Sequence, residues 1–545
     1  MDVALGRQKA DMAVINATLI NVYTGEILTG QAVGVKDQWI AYAGDDPGPL
    51  IGPDTLVLDA AGQTLIPGLI DGHTHMAWIC PVHEAVGAAM ASGTTTIITE
   101  TMETYPVAGY RGVVDFLGAL ADQPITILAT APPMMSISQA TAGIDPQELD
   151  SLLGRGDIVG LGETYWQQVL AQPHRFLPLM AQTLARSKTL EGHSAGARGH
   201  KLAAYAALGV SSCHEPTSAD EVLERLRLGI HVMVREGSIR RELEAVAPIV
   251  QKAIDLGFAP ARAVAMATVN VAEHFGLDPV IGGIAPGRQA DMVIVPEPAR
   301  IAPSTVIAKG RIVWQKGRPA AKPRPHVYEA ASLATVRLPR ALDPADFAIN
   351  APPGATTVKA RVIELVTDLV TRETILDLKV NCGLITADPA RGLAKVAAVD
   401  RAVQPGKRFT GLVAGLGLKQ GAIASSGAWD TADIIVAGVN DADMALAVNR
   451  IAQMQGGVVA CAGGRILAEL ALPVFGLIGD LPLAQIARRL NDLQTAAMDL
   501  GVPFRDALLT LVTLTGAAIP FLRICEEGLV NLKDGATASL LVQAS

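Results

Sequence analysis

Between about residues 65 and 280, short apolar runs alternate with longer stretches of helical period. Seven β-type runs stand out: TLIPGLID (64–71), TTTIITE (94–100), ITILATAPP (125–133), IVGLGE (158–163), KTLEGH (188–193), VSSCHE (210–215) and IHVMVRE (230–236). Helical stretches separate most of them, among them PVHEAVGAAMAS (81–92), HRFLPLMAQTLARS (174–187) and SADEVLERLRLG (218–229), whose Glu224 is expected on an exposed helix face. Strands joined by helical crossovers pair in parallel. Seven in series favour an α/β chain built on a (β/α)8 TIM-type barrel over an open doubly wound sheet.

The flanks read differently. ADMAVINATLIN (10–21) is echoed by ADMVIVPEPARI (290–301), and each is followed by a second strand-like stretch, 26–44 and 306–319. This predicts a composite β-sandwich with its first part at 1–64 and its second at 283–325, the barrel at 65–282 being inserted between them. The basic, proline-rich KGRPAAKPRPHVYEAASLATVRLPRAL (316–342) reads as a linker. Beyond it, 340–545 mixes glycine-rich turns with β-type and helical runs, which predicts a C-terminal α+β domain. The last histidine is His326, so an imidazole-based metal site in that domain is excluded.

Functional residues of such barrels gather at the C-terminal ends of the strands, and the polar residues of the middle segment fall there. His73 and His75 end the first strand, Glu100 the second, Glu163 the fourth and His193 the fifth. His214 with Glu215 ends the sixth, and Arg235 with Glu236 the seventh. In a strand, residues i and i+2 project from one face, so the imidazoles of His73 and His75 leave side by side. An isolated H-x-H arises often by chance and alone would read as two solvated residues. Six strand ends bearing histidine or ionisable residues around one mouth instead point to a divalent metal. His200 and His231 end no strand and read as surface or packing residues.

Half of the 545 residues are hydrophobic and 18% are charged, enough apolar material for two or three domains and too little charge for disorder. A net charge of −9 argues against a nucleic-acid groove and suits a small neutral or cationic ligand. The five cysteines are scattered without a C-x-x-C pair, the usage of a reducing compartment. No signal-peptide core and no run long enough to cross a bilayer is present, so a cytoplasmic protein without membrane partners is expected.

Longer motifs narrow the class. PGLIDGHTHM (67–76) and GGIAPGRQADMVIV (282–295) resemble the amidohydrolase superfamily. GHSAGARGHKLAAYAALGVSSCHEPTSADEVLERLRLGIHVMVREGS (192–238) is similar to the bacterial adenine deaminases within it, as are GLVAGLGLKQGAIASS, NDADMALAVNRI and LPVFGLIGDLP near the C-terminus. The resemblance covers nearly the whole chain. It implies a binuclear metal site, with His73 and His75 on one ion, Glu163 bridging, and His193 and His214 on the second. It points to manganese or iron, with zinc possible, and to water activated between the ions attacking C6 of adenine in purine salvage. It places Glu163 and His214 at the reaction and matches Arg235, Glu236 and Ser238 to a family Arg-Glu-Gly-Ser element, with Arg235 and Ser238 expected to bind substrate and Glu236 to be catalytic. Glu215 is a further catalytic candidate, although with Arg235 it also reads as a structural ion pair, and a homo-oligomer is expected. Alternatives are another cyclic amidine, lactam or imide as substrate, or a degenerate barrel that binds metal or purine without turnover.

The chain departs from the family pattern in three places. The aspartate that the family places at the end of the eighth strand, as metal ligand and proton shuttle, is not found: from Arg235 to Ala259 there is no room for a helix, a strand and a further helix, since a βα unit takes roughly 25–30 residues. Asp255, inside a helical pattern, does not replace it. TETMETYP (99–106) stands where a Pro-His-Glu element is usual, and SSGAWDTADII (425–435) has Trp429 and Ala432 where histidines are expected. Trp429 reads as a packing residue.

Overall fold

The computed structural model describes residues 1–216, 218–234 and 246–542. Seven strands run in barrel order: Leu69–Thr74, Thr94–Thr99, Thr126–Ala131, Ile158–Tyr165, Thr189–His193, Ser212–Cys213 and His231–Val232. The first five form one parallel sheet and the last two a parallel pair. The Ser211 N–H to the Leu190 carbonyl, 3.0 Å, joins the two sets. Each of the seven apolar runs therefore contains a barrel strand, and the helices Val82–Ala91, Pro173–Ala185 and Ala219–Arg227 lie where the helical period placed them.

The first run is not one strand. It divides at Gly68, with Thr64–Pro67 in a different sheet and Leu69–Thr74 in the barrel. A β-carbon at Gly68 would meet the Thr95 hydroxyl at 2.0 Å, so only glycine lets the chain cross here from one sheet to the next.

No eighth strand is present among the described residues. The first strand instead donates its Ile70 N–H to the Ala267 carbonyl, 2.8 Å, beside the helix Val269–His274. Val271, Phe275 and Leu277 pack there with Met233 and with Ile98, Leu128 and Val159 of the second, third and fourth strands. A barrel bore must be filled, and this helix and the residues after it supply part of the filling. His274 Nε2 lies 3.0 Å from Glu191 on the fifth strand, and Ser212 Oγ donates to the same carboxylate at 2.5 Å. Asp255 ends the helix Val246–Asp255 and takes a hydrogen bond from Gln251, so it belongs to a helix and not to a strand end.

A nine-stranded sheet draws strands from both sides of the barrel. The echoed strands Met12–Ile20 and Met292–Val295 share one neighbour, Thr64–Pro67, parallel to the former and antiparallel to the latter. The proline-rich segment after it is strapped to the barrel: Asp115 accepts from Ser332 Oγ at 2.5 Å and pairs with His326 Nε2 at 2.8 Å. An eight-stranded sheet follows, with the helices Asp441–Met454 and Leu483–Asp499. One continuous apolar core runs through the barrel and into this last part. The loop after the first barrel strand is pinned to it by two backbone bonds of Ile79, from its N–H to Leu477 O and to its carbonyl from Gly479 N–H, each 2.8 Å. No helix among the described residues is long and apolar enough to cross a membrane.

Candidate metal centre

Glu163, near the end of the fourth strand, sits among four imidazoles. His73 Nε2 is 3.0 Å and His214 Nε2 2.9 Å from its Oε1, with His75 Nε2 at 3.4 Å. His193 Nδ1 is 3.6 Å from its Oε2. The rings of His73 and His75 lie 5.1 Å apart, as neighbours on one strand face, and those of His73 and His214 stack at 3.9 Å. All five side chains are nearly buried.

The donor atoms fall into two sets that share Glu163: His73, His75 and Glu163, and Glu163, His193 and His214, the atoms of each within 4.8 Å of one another. Imidazole nitrogens with a shared carboxylate are a donor set for borderline divalent ions, and the residues fit such a group. Burial alone would push the Glu163 carboxyl up, but the imidazoles of His214, His193 and His73 outweigh it and hold the group well below the usual carboxylate range. His214 goes the other way: burial, and then the neighbouring His73, push its imidazole down to about 4. A neutral imidazole is the form that binds a metal.

Other carboxylates ring the cluster. Glu100 ends the second strand, with Oε1 3.6 Å from His73 Nδ1 and Oε2 accepting the Glu163 N–H at 3.4 Å. Burial, and then the Glu163 charge, raise its carboxyl above the usual range. Glu215 places Oε1 3.5 Å from His214 Nε2. Arg235, Glu236 and Ser238 lie outside the described residues.

Glu103, Tyr165 and Asp430 escaped the sequence reading. Glu103 sits 2.5 Å from His75 Nδ1 and turns the other nitrogen of that ring toward Glu163. It comes from the TETMETYP stretch, where a carboxylate just past a strand end was the available signal. A carboxylate behind a ligating histidine fixes its tautomer and orientation, and its loss typically costs 10–100-fold in metal affinity. Glu103→Ala should therefore bind divalent metal roughly 10–100-fold more weakly in a chelator competition. Unchanged affinity would show that His75 needs no such partner.

Trp429 and Asp430 arrive from the C-terminal part. The Trp429 ring lies 5.2 Å from those of both His75 and Trp78, so it packs, as expected, but against a candidate ligand. Asp430 is buried, accepting Tyr165 Oη at 2.9 Å and the Ala517 N–H at 2.8 Å. Burial pushes its carboxyl up to about 8. Tyr165 packs edge-on against His193, so this contact clamps the C-terminal part to the wall that carries the candidate ligands.

Histidines and a glutamate converging at the strand ends of a barrel beside a composite β-sheet define a metal-dependent hydrolase of the amidohydrolase class. The amidohydrolase family model matches residues 231–313, and the adenine deaminase C-terminal domain matches 368–536. The chain is 35% identical to an adenine deaminase of Moorella thermoacetica, covering 97% of this chain and 95% of that one. It is 32% identical to adenine deaminase 3 of Rhizobium meliloti, covering 100% and 98%. The chain belongs to the adenine deaminase family, whose amidohydrolase centre depends on divalent metal. The crystal structure of an enamidase aligns with a TM-score of 0.44 at 18% identity, covering 58% of this chain and 100% of that one. The two adenine deaminase alignments run over 569 and 584 positions, more than the 545 residues here, so these relatives carry internal residues that this chain lacks.

Proposed function

We propose that this chain deaminates adenine hydrolytically, adding water at C6 and releasing ammonia to leave hypoxanthine. The observation that carries the reading is the convergence of His73, His75, His193 and His214 on Glu163, in a chain similar over its length to proteins named adenine deaminase. His73 and His75 would hold one ion and His193 and His214 the other, with Glu163 between them and manganese or iron as the metal. Such ions supply Lewis acidity and lower the pKa of water toward neutrality.

The protein's own groups do the rest. Glu163, held ionised, balances the charge at the centre of the site. Glu215 Oε1 takes the proton of the attacking water and returns it to the amino nitrogen that leaves. Trp429 and Trp78 form an apolar wall beside His75 that excludes bulk water and offers a face to a heteroaromatic ring.

The test is ammonia release from adenine by purified protein loaded with manganese or iron. Release matched by equal hypoxanthine, and abolished by a chelator, is the expected result. Adenine binding without ammonia would instead identify a purine-binding barrel, and ammonia from another cyclic amidine alone would reassign the substrate.

A further inference from the structure

A cavity of about 450 Å³ lies where three parts of the chain meet, and none of the candidate metal ligands lines it. Its walls come from the start of the second barrel helix (Tyr105–Leu120), the strap at Glu329–Arg337 and the turn at Ala402–Val403. The volume is that of a small-molecule site, and junctions between domains are where such sites concentrate. The helix breaks at Gly109, φ 62°, a conformation that favours glycine, and Gly109 lines the cavity.

The lining carries charge that the protein leaves unspent. Arg111 is exposed and makes no hydrogen bond or ion pair among the described residues. Arg337 gives one guanidinium nitrogen to the Ala402 carbonyl at 2.6 Å. Glu329 lines the same space and forms no ion pair with either arginine among the described residues. Both signs of charge on the lining of one cavity suit a ligand with an anionic end and a hydrogen-bond-donating end. The lining also includes the Tyr105 ring, held by its hydroxyl on Glu148 at 2.6 Å, and apolar groups of Ala108, Ala334 and Val403. Arginine favours phosphate, the carboxylate an exocyclic amine, and the tyrosine a flat ring.

We infer that this cavity is a second ligand site, for a nucleoside monophosphate whose base carries an amino group. Binding there does not depend on the proposed activity. Its consequence for turnover does: Glu103, which holds His75, lies two residues before the helix whose Tyr105 lines the cavity.

The experiment is calorimetric titration of the full-length, metal-loaded protein with AMP, adenosine, ribose 5-phosphate and inorganic phosphate, each with and without saturating adenine. AMP should bind in the presence of adenine, and each fragment should bind at least about tenfold more weakly. Arg111→Ala should weaken AMP by about tenfold or more, the scale of one charge-assisted phosphate contact, with adenine turnover in the absence of AMP unchanged. Val403→Trp, which fills the mouth, should do the same. The inference is overturned if AMP does not bind at millimolar concentration. It also fails if adenine displaces AMP while Arg111→Ala has no effect, which would place AMP in the metal centre. Phosphate binding as tightly as AMP would mark an adventitious ion only. A protein that releases no ammonia yet binds AMP in this pattern would reject the proposed activity and keep this site.

Discussion

Glu163→Gln is expected to strip the protein of divalent metal, lowering affinity by more than the roughly 10–100-fold that loss of an outer partner costs. The carboxylate is shared by both donor sets, so one substitution weakens both at once. Gln is close in size and keeps one oxygen, so the fold should survive, but it removes the charge that four imidazoles surround. Loss of that charge also removes the attraction that offsets the burial of the site. The control must be chosen from the structure. Glu224, on a helix face expected to be exposed, accepts the Gly199 N–H at 2.7 Å and is only partly exposed, so its variant would not be neutral. Glu26, exposed just before the strand Ile27–Lys36 of the nine-stranded sheet, is the better comparison. Metal content by elemental analysis, equal in Glu163→Gln and Glu26→Gln, would remove Glu163 from the centre.

The barrel was legible because its strands are short apolar runs with a polar residue at one end, and burial on both faces leaves that signature in the sequence. His73, His75, Glu163, His193 and His214 could be picked out for the same reason. The break at Gly68 was not legible, since Pro-Gly inside a continuous apolar run does not say that the run serves two sheets. Glu103 lies past its strand end, in a turn with no period to expose it. Tyr165 and Asp430 are 265 positions apart, and only the packing of the C-terminal part on the barrel brings them together. The absence of room for an eighth strand was legible as a length. What fills part of the bore, Val271, Phe275 and Leu277, reads in the sequence only as an ordinary amphipathic helix and its end.

That missing strand decides the last expectation, a fall of about 10²–10⁴ in kcat for Glu215→Gln with bound metal unchanged. The resemblance assigns proton transfer to an eighth-strand aspartate, and no eighth strand occurs among the described residues. Another carboxylate must then move the proton, and it has to reach both the substrate and solvent. Glu100 is 1% exposed and accepts the Glu163 backbone N–H, sealed under the cluster. A β-carbon at Gly162 would fall 2.0 Å from its Oε2, so Glu100 packs directly against the backbone of the fourth strand. Glu103 is engaged with His75, and Asp430 is held by Tyr165 and Ala517. Glu215 alone of these reaches the surface, its side chain 26% exposed, while Oε1 stays 3.5 Å from His214. Gln keeps its shape and removes its capacity to take a proton, so kcat should fall while KM changes little. Loss of metal along with activity would make Glu215 a ligand instead. Full activity with metal retained would pass the proton-transfer role to Glu236.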